Sequence, residues 1–392
     1  MKKKISRAFD YVKQITFLAT LTPLGAVMKL FDKSLRHAWI VCERGDDARD
    51  NGYWFYRYLK KEHPEINSYY IITDDSEDIE KIRELGGNVR KGSFRHLLLY
   101  FSADYLVGTH IQPCAPDLIL YYHLAAKGIK ARGKQIFIRH GIIKDEMQWQ
   151  HYPNFRTDLF TCGAKPEYDY IKSTFNHPEG VVQYVGLCRF DNLIRAGIPK
   201  REILLMPTWR GSYYPSGDAF KDTEYCKAFV SLLNSEKLDA MLKKYDCRLV
   251  FYPHIEMQKY MELFKTSSDK ITIASKKTHD VQQLLMDCAM LITDYSSVFF
   301  DVAYLGKPVI YYQFDEEDFT KYHYQKGYFD YRKLGFGPVI TDEDSLLAEI
   351  EKRLENDLLP DEFYRARSAG FFPLRDDKNC ERTYNAILAL KK

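Results

Sequence analysis

The sequence runs to 392 residues, 45% hydrophobic and 28% charged, with 57 basic against 54 acidic side chains and a formal net charge of +3. That is too long for one small core and fits two domains of ordinary size, and the composition excludes disordered, collagen-like, coiled-coil and disulfide-scaffold chains. A charge so near balance gives no reason to expect nucleic acid as a partner, and no apolar run reaches the roughly 18 residues of a membrane-spanning helix.

The charge is uneven along the chain. Residues 1–36 carry Lys2, Lys3, Lys4, Arg7, Lys13, Lys29, Lys33 and Arg36 against Asp10 and Asp32, a local charge of +6. Ile5, Phe9, Val12, Ile15 and Ala19 follow one helical face, and an apolar stripe with a basic rim suits a helix lying on an anionic bilayer. The segment 1–36 is therefore expected to associate with an anionic membrane surface, which makes the protein peripheral at the cytoplasmic face of the cell membrane. Two alternatives stay open: an ordinary first helix packed on its own domain, and a signal peptide. Asp10 and Lys13 speak against the signal peptide, as does the lack of a secretory cysteine framework.

Beyond this segment, short apolar runs alternate with helical stretches. Strands are expected at 39–42, 69–73, 105–109, 135–140, 159–163 and 181–186, then at 203–208, 248–254, 271–274, 290–294 and 308–313, with amphipathic helices such as 50–61 and 236–245 between them. The alternation predicts an α/β chain with parallel sheets. It pauses at 191–200, where Gly197 and Pro199 interrupt a polar stretch, so domains are expected at 37–195 and 196–392. Two doubly wound, Rossmann-like domains would face a central cleft, with ligands off the carboxyl ends of the strands. The eight cysteines form no C-x-x-C pair and no zinc-ligand spacing appears, so the thiols are read as small hydrophobes in a reducing compartment and no metal is expected.

Neither G-x-x-x-x-G-K-[ST] nor G-x-G-x-x-G is present, which argues against a P-loop nucleotidase and a standard dinucleotide dehydrogenase. The acidic run from Asp74 to Asp78 is read as helix-capping. The informative stretch begins at Met290: a buried strand runs into Thr293-Asp294-Tyr295, and Ser296 and Ser297 then stand where a helix should begin. Free N–H groups and two hydroxyls there would suit an anion, although Ser296 could equally be a simple cap. His140 and His254 each end a predicted strand, and Met206-Pro207-Thr208-Trp209-Arg210 forms a third strand-end cluster. His63, His96, His123, His177, His279 and His323 are read as surface residues, and His110 as unassigned.

His140-Gly141, Gly186-x-x-Arg189-x-Asp191, Pro207-Thr208-Trp209-Arg210, Pro253-His254 and Thr293 to Asp301, in this order, resemble the CDP-glycerol glycerophosphotransferase family of teichoic acid synthesis. The likeness runs from about Lys134 to Asp315, and the length is nearer the short primase-like members. The resemblance implies a GT-B fold, with an acceptor domain before a CDP-donor domain. The implied reaction moves glycerol phosphate or ribitol phosphate from a CDP-polyol to a lipid-linked or polysaccharide acceptor, releasing CMP. By motif, His140 and His254 would be the catalytic pair. Ser296, Ser297 and Asp301 would hold the donor, and Thr208, Arg189 and the segment Arg139, Gly141, Ile142, Ile143 would line the same cleft, with Pro207 and Arg210 beside them. The family usually has Thr-Pro after His-Gly; here Ile142 and Ile143 remove a hydroxyl.

Displacing CMP requires a hydroxyl nucleophile, a proton acceptor and donors for developing charge. A neutral His140 suits the acceptor, and a protonated His254 would offset phosphate charge. No cofactor beyond the CDP-polyol and no metal is expected. A GT-B glycosyltransferase using a nucleotide sugar and a non-catalytic membrane-bound module remain as alternatives.

Overall fold

The computed structural model describes residues 27–117, 131–211, 217–322 and 325–390. Most of the expected membrane-associating segment, together with His123 and His323, lies outside the described residues.

Seven strands form the first sheet: β1 (Trp39–Cys42), β2 (Ser68–Ile72), β3 (Asn88–Arg90), β4 (Tyr105–Gly108), β5 (Lys134–Phe137), β6 (Leu159–Cys162) and β7 (Val182–Tyr184). Six form the second: β8 (Glu202–Leu205), β9 (Arg248–Phe251), β10 (Ile271–Ile273), β11 (Met290–Thr293), β12 (Val309–Tyr312) and β13 (Val339–Ile340). The orders are β3-β2-β1-β4-β5-β6-β7 and β10-β9-β8-β11-β12-β13, with parallel pairing throughout.

Both faces of each sheet are covered, which is why the central strands read as unbroken apolar runs. In the second sheet Ile203, Leu205, Leu249, Phe251 and Ile292 enter one core, while their neighbours Leu204, Val250 and Leu291 enter the other. In the first, Trp39, Val41, Tyr70 and Ile72 face one core and Ile40, Cys42 and Ile71 the opposite one. The covering helix Asn51–Glu62 opens with the Asp50 carboxylate accepting the Asn51 N–H and buries Phe55, Tyr56 and Leu59. Strands β3 and β13 are not anticipated by the sequence. In β3 only Val89 is buried, between exposed Asn88 and Arg90, and β13 has two residues. All eight cysteines are free and buried.

Two local expectations need correction. His96 is fully buried rather than superficial: its Nδ1 accepts the Gly92 N–H at 2.9 Å and its Nε2 meets the Cys114 carbonyl at 2.9 Å. Asp78 makes no side-chain cap; its carboxylate accepts the Ala48 N–H at 3.0 Å and the Arg49 guanidinium at 2.8 Å.

Strand order reverses between β1 and β4 in the first sheet and between β8 and β11 in the second. At such switch points the connections leave in opposite directions and open a crevice. The two domains also share a core: Ile142, Leu187, Phe190 and Leu193 join Leu204, Phe299, Phe300 and Tyr304 in one apolar cluster. Phe190 stacks on Tyr304 with ring centroids 4.0 Å apart. The helix Asn379–Ala389, which the sequence reading placed with the second domain, returns to the first. There Cys380, Ala386 and Ile387 pack with Trp39 and Phe55, because its apolar face completes a core that the first domain leaves open.

Candidate active site

The crevices of the two sheets meet in one cleft of about 340 Å³. His110 and His140 reach it from β4 and β5, and His254 from β9. Ser297 and Asp301 reach it from the segment after β11, and Arg189 from the connection between the domains.

The His140 backbone is held from two sides. Asn51 Nδ2 donates to the Arg139 carbonyl at 2.9 Å, and Arg189 Nη1 donates to the His140 carbonyl at 2.7 Å. Arg139 adopts φ 60°, which turns the chain sharply and puts the two side chains on different sides. The His140 ring faces the cleft, whereas the Arg139 guanidinium is buried, bonding Gln150 Oε1 at 2.8 Å and lying 3.8 Å from Glu167.

The hydrogen-bond network assigns the two cleft histidines opposite tautomers. His140 Nδ1 lies 3.3 Å from the Thr109 carbonyl, which can only accept, so Nδ1 carries the proton and Nε2 the lone pair. His254 Nδ1 accepts the Glu256 N–H at 3.3 Å, so the neutral ring carries its proton on Nε2. Enclosure of the imidazole by the cleft walls, reinforced by the Arg139 charge, pushes His140 down to about 4, although the residue keeps an edge open to solvent. Burial likewise lowers His254, against the opposing pull of Glu256 and Asp294. Both rings are thus neutral near pH 7, one aiming an acceptor and the other a donor. This corrects the expectation of a protonated His254: its environment makes it a hydrogen-bond donor. Trp209 stacks parallel to it, 12° apart, with centroids at 6.2 Å.

Ser297 is exposed in the cleft and Ser296 half-buried beside it, in the turn before the short helix Phe299–Tyr304. Neither caps that helix. A Cβ on Gly141 would stand 3.8 Å from Ser297 Oγ, so the loop after β5 lies against the serine turn of the other domain.

Other motif residues build the walls. Arg210 is wholly buried: Nη1 bonds Asp294 at 2.6 Å, Nε bonds Asp315 at 2.6 Å, and Tyr225 and Tyr295 stack over its guanidinium. Asp294 also accepts the Thr208 N–H at 2.8 Å, so this cluster ties the ends of β8, β11 and β12 together. Thr208 is half-buried and Pro207 buried. Ile142 and Ile143 are both buried in apolar cores. The structure therefore brings His140, His254, Arg189, Ser297 and Asp301 into the cleft, with Gly141, Ser296 and Thr208 close behind. It turns Arg139, Ile142, Ile143, Pro207 and Arg210 away from it. Even Arg189 and Asp301 are mutually engaged, through bonds of 2.6 and 2.9 Å.

His110 is the residue sequence reasoning missed, along with Arg44, Asp50 and Lys276 on the cleft wall. His110 and Arg44 follow β4 and β1, the two strands that flank the first switch point. Among the described residues, no group of three or more His, Cys, Asp or Glu is arranged to hold a metal ion.

Two doubly wound parallel sheets opening on a shared cleft define the GT-B-like class. The solved wall teichoic acid polymerase TagF aligns over 100% of this chain and 98% of its own, with a TM-score of 0.65 and 17% identity. UDP-GlcNAc 2-epimerase from Neisseria meningitidis aligns over 91% of this chain and 100% of its own, with a TM-score of 0.54 and 12% identity. At those identities the likeness is one of fold.

The sequence goes further. The profile of the CDP-Glycerol:Poly(glycerophosphate) glycerophosphotransferase family matches residues 27–389, well beyond the motif-bearing middle, and the chain belongs to that family. Minor teichoic acid biosynthesis protein GgaB of Bacillus subtilis is 30% identical over 420 residues, covering 100% of this chain and 46% of GgaB. Teichoic acid ribitol-phosphate primase of Bacillus spizizenii is 28% identical over 189 residues, covering 48% of this chain and 44% of the primase. The chain spans about half the length of the curated relatives it matches.

Proposed function

We propose that this chain transfers a polyol phosphate, glycerol phosphate or ribitol phosphate, from a CDP-polyol to a hydroxyl of a lipid-linked or polysaccharide acceptor, releasing CMP. The observation that carries the reading is the pair of opposed imidazoles: His140 offers a lone pair at Nε2 and His254 an N–H at Nε2. The acceptor hydroxyl oxygen attacks the phosphorus that bears the polyol, its proton passes to His140, and the bond from that phosphorus to the CMP oxygen breaks. His254 and Ser297 donate to phosphate oxygens as charge moves toward CMP. Family membership and a TagF form described as soaked with CDPG support a CDP-linked donor.

Arg44 and Lys276 on the cleft wall offer positive charge to a diphosphate, whereas Arg49 and Arg189 are already held by carboxylates, and the reading extends to transfer without a metal ion. CMP release should then survive chelation by EDTA. Incubation with CDP-glycerol, CDP-ribitol and a panel of nucleotide sugars tests the reaction itself. CMP from a CDP-polyol supports it, whereas turnover with a nucleotide sugar alone would make the chain a glycosyltransferase.

The reading includes a peripheral position on the anionic cytoplasmic leaflet, where a lipid-linked acceptor would be met. At the described end of the basic segment, Leu30 and Phe31 are 68% and 79% exposed beside Lys29 and Lys33. Each basic residue near such a surface adds roughly 1 kcal/mol, an attraction that salt screens. Removing residues 1–30 should abolish flotation with anionic liposomes while sparing transfer to a short soluble acceptor. Continued flotation would identify the segment as an ordinary packed helix.

A further inference from the structure

His110 has no part in the reaction as described, yet it is bound more tightly than the residues that do. Its ring lies nearly parallel to that of His140, 10° apart with centroids at 4.5 Å. Its Nε2 accepts from Arg44 Nε at 3.3 Å, which puts its own proton on Nδ1, 2.8 Å from Thr109 Oγ1. Thr109 thus holds both imidazoles, His110 by its hydroxyl and His140 by its carbonyl.

We propose that His110 is a positioning residue for His140: anchored by Arg44 and Thr109, its ring covers one face of the His140 imidazole and keeps that imidazole neutral with its Nε2 lone pair available to the cleft. The inference rests on the reading of His140 as proton acceptor. A ring stacked at van der Waals distance displaces water from the face it covers, and an imidazolium loses more from that than a neutral imidazole. The charged surroundings act in the same direction. Arg139 precedes His140, Arg189 lies at its carbonyl and Arg44 at His110. Of the acids, Asp46 stands near His110, while Asp50 and Asp301 are taken up by Arg189. His110 is itself pushed down to about 3, by burial and then by His140, so it stays a neutral cover across the working range.

The test is an imidazole NMR titration of the full chain, with the His140 signal assigned by its loss in His140→Asn. In His110→Asn the amide can still reach Thr109 and Arg44 but the ring is gone, and the His140 midpoint should rise by about one pH unit. In His110→Phe the cover remains, and the midpoint should stay close to the native one. The acid limb of kcat/KM for CMP release should move with the titration, up in His110→Asn and unmoved in His110→Phe. An unchanged His140 midpoint in folded His110→Asn overturns the proposal, as does an equal rise in both variants. The titration needs no substrate. A shifted midpoint without CMP release from any CDP-polyol would therefore leave His110 in its role and remove the transfer reading. CMP release with an unmoved midpoint would do the reverse.

Discussion

Arg189 grips Asp301 with two parallel hydrogen bonds, from Nε at 2.6 Å and from Nη2 at 2.9 Å, and so joins the interdomain connection to the helix that follows the serine turn. The remaining nitrogen, Nη1, serves Asp50 and the His140 carbonyl, both at 2.7 Å. One guanidinium therefore fixes three parts of the cleft. Burial acts to lower the Arg189 pKa, but the two carboxylates outweigh it and raise the pKa overall, so the guanidinium stays charged.

Removing Asp301 takes two hydrogen bonds from the guanidinium but leaves Asp50 as its carboxylate partner, so the cost falls below the roughly 3–5 kcal/mol of a fully uncompensated buried charge. Asp301→Asn should destabilise the chain by about 2 kcal/mol in urea unfolding and lower CMP release, because the guanidinium that holds the His140 carbonyl is no longer fixed by the Asp301 fork. Arg189→Lys should fail similarly, since a single ammonium cannot reproduce the fork. Native-like stability and turnover in Asp301→Asn would refute the tethering.

The two histidines should respond differently to the same replacement. His140→Ala and His254→Ala should each lower turnover by about 10²-fold or more. His254→Gln retains an amide N–H and should keep part of the rate, whereas His140→Gln offers no basic lone pair and should match His140→Ala. Steady-state CMP release reads both comparisons. Equal losses in the two glutamine variants would contradict the opposed tautomers.

Calorimetry should separate the serines. Ser297 is exposed in the cleft and Ser296 half-buried, so Ser297→Ala is expected to weaken CDP-polyol binding by about fivefold, the worth of roughly one hydrogen bond of 1 kcal/mol. Ser296→Ala should have a smaller effect. Unchanged donor affinity in the double variant would reduce both to turn-formers.

Acid should loosen the first domain through His96. Its ring is neutral in the fold, with Nδ1 accepting the Gly92 N–H, and burial pushes it down to about 4 from an ordinary 6.5. The unfolded chain therefore binds a proton first. The contribution of His96 is fully present above about 6.5 and is lost progressively as pH falls toward 4, at about 1.4 kcal/mol per pH unit. Denaturation midpoints of His96→Gln should fall less steeply across that window than those of the native chain. The same slope in both would place the acid sensitivity elsewhere.

Strand ends were legible in the sequence because double burial writes them as continuous apolar runs, and polar residues that interrupt such runs mark the cleft. His140, His254 and the Ser296-Ser297 pair were visible on that basis alone. His110 was not, because its meaning depends on strand order. Only once β4 lies beside β1 on one side and β5 on the other do His110, Arg44 and His140 come together. Arg210 misled for the opposite reason. A strand-end arginine looks like a ligand for anions until Asp294 and Asp315, far along the chain, are seen to enclose it. Ile142 and Ile143 likewise follow a catalytic-looking histidine but answer to the cores behind them.

The return of the helix Asn379–Ala389 to the first domain has a consequence for biosynthesis. Trp39 leaves the ribosome before either sheet is complete, but Cys380, Tyr384, Ala386 and Ile387, which close the core around it, come only after both sheets have been made. Throughout that interval the nascent first domain shows an unfinished aromatic face to solvent, open to chaperones and to other chains. A domain cut out at the end of the first sheet should carry the same exposed face and be prone to aggregate, although nearly all of its cleft residues would be present. Supplying the helix in trans should rescue it.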